Sequence, residues 1–368
     1  MKRLVIAALA IAAMAACTKS NVQYEQPGEI SLQPVTQKAT KAAVDGTYYP
    51  TETDYNFNVW AWWADMNAGT ALAQFTSTTD YIAEGTFTAR NNVSWGGVTP
   101  YYWPTKGSLV FAGYSPASAN GTFNFDFANK TFTATDYIQS NNIADAKDLM
   151  WFDVTNESYD QNGAENKGVP VQFKHALSWL TFKFNLLSAA TAEMWTITDV
   201  TLKGIEDKAT FTAVKDDTPE WSPAEKSAEE MDVVNVYNAG EGTGYTVAYV
   251  NGGTVLPGTD VVAEGTNARN NAVLVIPQSC APAVVDGNVT TAADAELVIT
   301  YNLKTYIGEN NYLNDQTVTL PLNGSPIDGN KWEPGKHYIY TITFGANEIL
   351  IAPTVEDWTD VPVEVPVQ

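Results

Sequence analysis

The most regular pattern in the chain is alternation of apolar and polar positions. Tyr338, Tyr340, Ile342 and Phe344 fall on one face of KHYIYTITF, and Leu297, Ile299, Tyr301 and Leu303 on one face of AELVITYNL. A period of two is that of a β-strand with one buried side. The same spacing puts Tyr55, Phe57 and Val59 together in YNFNVWAWW, and Phe123, Phe125 and Phe127 together in TFNFDF. The last predicts a hairpin in which ANK (128–130) turns and Phe132 begins the return.

Other segments are apolar nearly throughout and predict strands with little solvent contact. SLVFAGYSP is one, stopped by Pro116, and DLMWFDV is another. VPVQFKHALSWLTFKFNL reads as a long strand or a strand pair, followed by WTITDVTLKGI, ATFTAV, NAVLVIPQ and QTVTLPL. Pro334-Gly335 fits a type II turn ahead of the tyrosine-rich strand. The acidic, proline-containing DDTPEWSPAEKSAEEMD reads as a surface excursion. No helical periodicity lasts beyond a turn or two.

Short strands and turns at this spacing predict an all-β chain. The polar, turn-rich TNESYDQNGAENKG (155–168) marks a boundary near its end. The expected layout is two tandem β-sandwich domains, 47–166 and 167–360.

Both ends depart from that pattern. Lys2 and Arg3 precede an apolar run from Leu4 to Met14, then the small Ala15 and Ala16. The run is too short to cross a bilayer and reads as a secretory leader over 1–16. Cys17 follows at once, and MAAC resembles a bacterial lipobox. That resemblance implies cleavage between Ala16 and Cys17 and attachment to the membrane through lipid on Cys17. The chain holds only one other cysteine, Cys280, which follows an apolar strand and reads as structural. In 17–46, Ile30 and Leu32 share a face of a short extended stretch, with Val35 after a break at Pro34. Lys38 and Lys41 then sit among small residues, a natural trypsin-like cleavage site.

At the other end, 361–368 reads VPVEVPVQ. Val361, Val363, Val365 and Val367 share one face, while Pro362 and Pro366 have no N–H to donate. Such a strand is confined to an edge. Two readings are open: it pairs at the edge of its own domain, or it is donated to another sheet.

Composition narrows the function. There are 11 Trp, 18 Tyr and 14 Phe but only 17% charged residues, the make-up of a sheet-rich globular chain. Net charge is −22; without Lys2 and Arg3 it is −24, from 18 basic and 42 acidic residues. No basic cluster exists to bind nucleic acid. The two histidines, His175 and His337, lie inside strand patterns and read as structural. Neither a nucleophile elbow, a zinc motif, a Walker A loop nor an EF-hand loop is present, so no catalytic residue, metal or cofactor is expected. Trp62 and Trp63 are candidate ligand-stacking aromatics. As neighbours in a strand they point to opposite faces, which leaves at most one of them for the core.

Six features in order resemble the fimbrillin family, the subunits of type V pili. They are the lipobox, YYWPTKGSLVFAGYSP, DLMWFDV, VPVQFKHALSWLTFKF, VLVIPQ and WEPGKHYIYTITF with its following EDW. The resemblance implies two transthyretin-like sandwiches, export as a lipoprotein, and assembly at the cell surface with copies of itself or other fimbrial subunits. It also implies that a trypsin-like protease removes the first strand, here EISLQPV, by cutting after Lys38 or Lys41. ATKAA around Lys41 matches the family's small-basic-small site better. A neighbour's C-terminal strand, here Val361–Val367, would then fill the groove. Where the better-known members often have arginine at the cut, this chain has lysine. The alternatives are a tip or anchor subunit of the fimbria and, as a competing class, a monomeric glycan-binding surface lipoprotein that uses the tryptophans as a platform.

Overall fold

The computed structural model describes residues 28–36, 49, 51, 53–77, 79–91, 94–143, 145–155, 158–160, 168–188, 195–223, 232–240, 244–250, 253–255, 273–281, 284–285, 288–289, 295–304, 312–323, 330–345 and 349–357. Ala16 and Cys17, Lys38 and Lys41, and the valines of 361–367 lie outside them. Among the described residues there is no α-helix, only two short 3-10 turns at Thr53–Tyr55 and Leu72–Gln74.

The first five strands are β1 (Ser31–Thr36), β2 (Phe57–Ala64), β3 (Thr79–Asn91), β4 (Ser94–Gly97) and β5 (Ser108–Ser115). A hairpin follows, β6 (Thr122–Asp126) and β7 (Thr131–Ile138), with the turn where the phenylalanine alternation placed it. Then come β8 (Met150–Phe152) and β9 (Val169–His175). Seven of these strands close a barrel in the order β1-β4-β3-β2-β5-β8-β9. Strand spacing of this kind fits a sandwich or a barrel, and a β-sandwich is the expected layout here. The pairing closes a ring because β1 pairs with β4 on one side and with β9 on the other. It also takes in β9, which lies beyond the expected boundary at 166 yet pairs with β8.

After Ala176 and Leu177 the chain enters β10 (Ser178–Leu186), β11 (Trp195–Ile205) and a hairpin, β12 (Lys208–Val214) and β13 (Glu220–Pro223). That hairpin leaves the C-terminal half. β12 pairs with β7, giving a four-stranded sheet β13-β12-β7-β6 whose two hairpins come from the two halves of the chain. Part of the stretch read as an acidic excursion is therefore a strand. Trp221 is buried in it and its indole N–H donates to the Ala176 carbonyl at 2.7 Å.

The remaining strands are β14 (Asp232–Asn238), β15 (Tyr245–Thr246), β16 (Thr254–Val255), β17 (Val273–Val275), β18 (Val284–Val285), β19 (Asn288–Val289), β20 (Glu296–Lys304), β21 (Tyr312–Pro321), β22 (Lys336–Phe344) and β23 (Ile349–Asp357). β18 and β19 pair with each other. The others form two sheets with β10 and β11, of order β16-β10-β22-β23 and β14-β11-β20-β21. Tyr338, Tyr340, Ile342 and Phe344 of β22 meet Ile197, Val200 and Leu202 of β11 in one core, the packing of a sandwich. In this sheet β10 runs parallel to β22, Trp179 opposite His337, and Lys336 is opposite Asp357. The end of β23 thus lies level with the start of β10, on the other side of β22, at the end of the sheet joined to the barrel.

Three cores result, and two of them share a wall. Phe57, Val59 and Ala61 of β2 face the barrel interior, while Trp60, Trp62 and Ala64 face the four-stranded sheet laid over its outside. β5 divides the same way and is buried at every position. Of Trp62 and Trp63 only Trp62 is core, although both faces of β2 are covered. Trp62 is 5% exposed in the outer core, and Trp63 packs half-buried against the inner one.

Candidate functional site

EISLQPVT makes a strand with two different faces. Ile30 and Leu32 are fully buried inside the barrel and Pro34 is buried with them, while Ser31 and Gln33 are half-exposed. On one side β1 is antiparallel to β4, with Ser31 opposite Gly96 and Leu32 opposite Trp95. On the other it is parallel to β9 from Leu32–Val169 to Thr36–Phe173. Pro34 does not break the strand as expected. The Ile30 N–H donates to Tyr101 O at 2.7 Å, towards the β4 side, and by alternation the nitrogen of Pro34 points that way too. The described pairing to β4 ends at Leu32, so the missing proline hydrogen costs no bond there.

The seat is fitted closely to this strand. Gly168 turns into β9 at φ +86°, and a Cβ there would press to 3.0 Å on the main chain of Leu32. At Gly96 a Cβ would meet the Arg90 side chain at 2.7 Å, because Arg90 crosses β4 to pair with Glu29 at 3.0 Å. Both partners of that pair are about two-fifths exposed, so it orients the strand more than it stabilises it. The Trp103 N–H donates to Gly28 O at 3.0 Å, and the Ser31 and Ser94 hydroxyls bond at 2.7 Å. Taking β1 away would uncover two ladder edges, on β4 and β9, above an apolar trough lined by Trp95, Val169 and Val171.

A residue that the strand patterns did not mark lies beneath this seat. Tyr49 is 1% exposed and belongs to no strand. Its ring stacks on Phe173 at 4.9 Å and meets Trp95, Phe57 and Tyr55 edge-on, and its hydroxyl donates to Ser115 Oγ. The sequence signals it only weakly, as an aromatic pair before a proline in TYYPT.

The tryptophan platform fares differently. Trp62 lines an open cleft of about 550 Å³ together with Phe75, Asp80, Asn124 and Phe127. Its indole, however, is stacked on Phe127 at 4.7 Å, and Phe127 in turn carries the Lys130 ammonium over its ring. At 5% exposure Trp62 leaves little of its indole for a sugar. The Trp63 N–H donates to Lys106 O at 2.9 Å.

Both histidines are buried within strands, His175 in β9 and His337 in β22. His175 is buried and shares a 2.8 Å bond with Asp148. His337 stacks on Trp179 at 3.6 Å and bonds Thr181 Oγ1 through Nε2 at 2.9 Å. Burial, with Lys183 nearby as a smaller cause, pushes the His337 pKa down to about 4. The neutral ring is therefore favoured in the fold, and the stability tied to it is complete above pH 6.5 and drains away as the pH falls towards 4. By urea unfolding, His337→Gln should remove an acid loss of about 3 kcal/mol between pH 7 and pH 4. Among the described residues no group of three or more His, Cys, Asp or Glu side chains is placed to hold a metal. Cys280 is fully buried.

Comparison with known proteins adds the following. A model of the fimbrillin-like family matches residues 40–358, a span that begins after β1 and ends before the valine tail. Among curated proteins none matches the sequence. Among solved structures, a fimbrial protein from Bacteroides vulgatus is similar with a TM-score of 0.57 at 15% identity, covering 90% of this chain and all of that one. A protein assigned to cell adhesion from Bacteroides uniformis has a TM-score of 0.48 at 16% identity, covering 90% and 99%. The tip fimbrial protein Mfa3 from Porphyromonas gingivalis has a TM-score of 0.39 at 12% identity, covering 89% and 100%. With a family match across most of its length, the chain belongs to the fimbrillin-like family, whose members are structural subunits of cell-surface fimbriae.

Proposed function

We propose that this subunit polymerises by exchanging its first strand. A trypsin-like cut after Lys41, or after Lys38, frees β1, and Val361–Val367 of another copy enters the vacated seat. Before the cut, lipid on Cys17 holds the chain at the outer membrane. The observation that carries this reading is the position of β1: a short strand near the front of the chain is the one that closes the barrel, between β4 and β9.

Exchange at this seat replaces like with like. The leaving strand gives up buried Ile30, Leu32 and Pro34, and apolar side chains of this size are worth ~1.5–3 kcal/mol each. The entering strand returns valines on the same two-residue period and takes up main-chain partners on both sides. Loss of β1 also turns the ring into an open sheet with two edges, which is how the transthyretin-like sandwich implied by the family resemblance would arise. Those edges do not stay empty in water, since an apolar, unpaired edge is a site for pairing with another chain.

The test is mild trypsin treatment of the purified mature protein, with mass spectrometry and native sizing. Cleavage after Lys38 or Lys41, release of the fragment holding β1, and growth of a ladder of oligomers are expected. Cleaved protein that keeps its first strand and remains monomeric would rule the reading out.

A further inference from the structure

We propose that Tyr49 is an internal brace. It holds the two strands that flank β1 at their working separation and shuts one end of the seat, so that an occupant is received by three alternate inward side chains. The inference rests on the strand loss proposed above.

Three observations meet at this ring. First, it touches both walls. Phe173, on which it stacks, belongs to β9 and lies opposite Thr36, while Trp95 belongs to β4 and lies opposite Leu32. Second, its hydroxyl reaches Ser115 at the end of β5, a third strand of the barrel. The ring is thereby fixed by groups that do not depend on β1. Third, Tyr49 follows Lys38 and Lys41 in the chain. A cut at either lysine sends β1 away and leaves Tyr49 with the barrel.

The physical need for such a brace follows from sheet geometry. Strands two places apart in a sheet are separated by ~10 Å, and the strand between them sets that distance. Once β1 has gone, no main-chain bond links β4 to β9 directly, and the trough is free to splay or to collapse. A side chain packed against both walls keeps their spacing and register. It also occupies the Phe173 end of the trough, which leaves the positions of Ile30, Leu32 and Pro34 as the open sockets. A partner that fits is an extended peptide with aliphatic groups at every second residue.

The experiment uses the mature chain cut within 37–48, by trypsin or at a site-specific sequence built into that stretch should both lysines resist. After the freed strand is washed away, capture of two labelled synthetic peptides is followed: residues 28–37, which carry β1, and residues 359–368, which carry the valine tail. Wild type is expected to readmit the first peptide. Tyr49→Ala should capture it at least tenfold less well, and Tyr49→Phe, which keeps the stack and loses only the tie to Ser115, within about threefold. If Tyr49→Ala does not fold before cutting, Tyr49→Leu replaces it, with volume retained and the stack lost. Capture by Tyr49→Ala, or by Tyr49→Leu in its place, within twofold of wild type overturns the brace. A wild-type seat that readmits neither peptide was not held open, and that result overturns it too. Capture of the first peptide alone, in a manner dependent on Tyr49, supports the brace and removes the valine tail as the occupant.

Discussion

Mature protein ending at Trp358 will be cut by trypsin like the full chain, will fold to the same stability, and will form no polymer. The reason lies in what Val361–Val367 can and cannot do unaided. Burying four valines is worth ~1.5–3 kcal/mol each, roughly 6–12 in all. Ordering eight residues costs ~1–2 kcal/mol apiece, about 8–16. The two nearly cancel, so the segment does not hold itself against an ordinary surface. In the seat of β1, the proposed destination, it would meet walls that are already ordered, and each main-chain bond made there would add ~0.5–1.5 kcal/mol. In an extended strand Pro362 and Pro366 would alternate with the valines, and so would reduce the number of those bonds without disturbing the buried face. Native sizing after protease treatment decides the matter. Ladders from the shortened chain, as long as those of the full chain, would sink the donor assignment.

Phe211→Ala will be the most damaging single substitution away from the seat, costing ~3–5 kcal/mol. Phe211 is fully buried in β12, a strand the C-terminal half lends to the sheet outside the barrel. Its ring meets Trp151 of β8 and Trp221 of β13 at 4.9 Å, and Phe132 of β7 at 6.0 Å. Removing it leaves a cavity where the two halves are stitched together. Because β7 and β12 are partners in one sheet, the denaturant midpoint should fall for both halves at once, in a single transition with unchanged slope. Two separated transitions, of which one keeps its wild-type midpoint, would show that the halves unfold independently.

Local pattern carried much of the architecture. The hairpin at 122–138 and the inward faces of β20 and β22 follow directly from which side chains alternate. Partner choice is a different kind of information. Nothing in ATFTAV says that it pairs with TFTATDYI some 75 residues earlier rather than with its own neighbours. That single pairing moved Trp221 from solvent into a core. Partner choice also decides β9, which follows the polar stretch 155–168 and pairs with β8 and β1. At the seat, Ile30 and Leu32 were legible from their spacing. That Pro34 stays in the strand was not, because its tolerance depends on where the neighbouring strand stops. Tyr49 lies on no repeat of any period, and only three-dimensional packing reveals it.

The position of Asp357 has a consequence for how a fibre would look. It lies at the end of the sheet nearest the barrel, beside Lys336 and level with the start of β10 across β22. From there to Val361 is four residues, a leash of ~14 Å at full stretch. A tail that enters the next copy on so short a leash brings that copy's barrel hard against the waist of the first. Successive subunits would then overlap like roof tiles rather than hang as beads on a thread, and a filament built that way resists bending along its whole length.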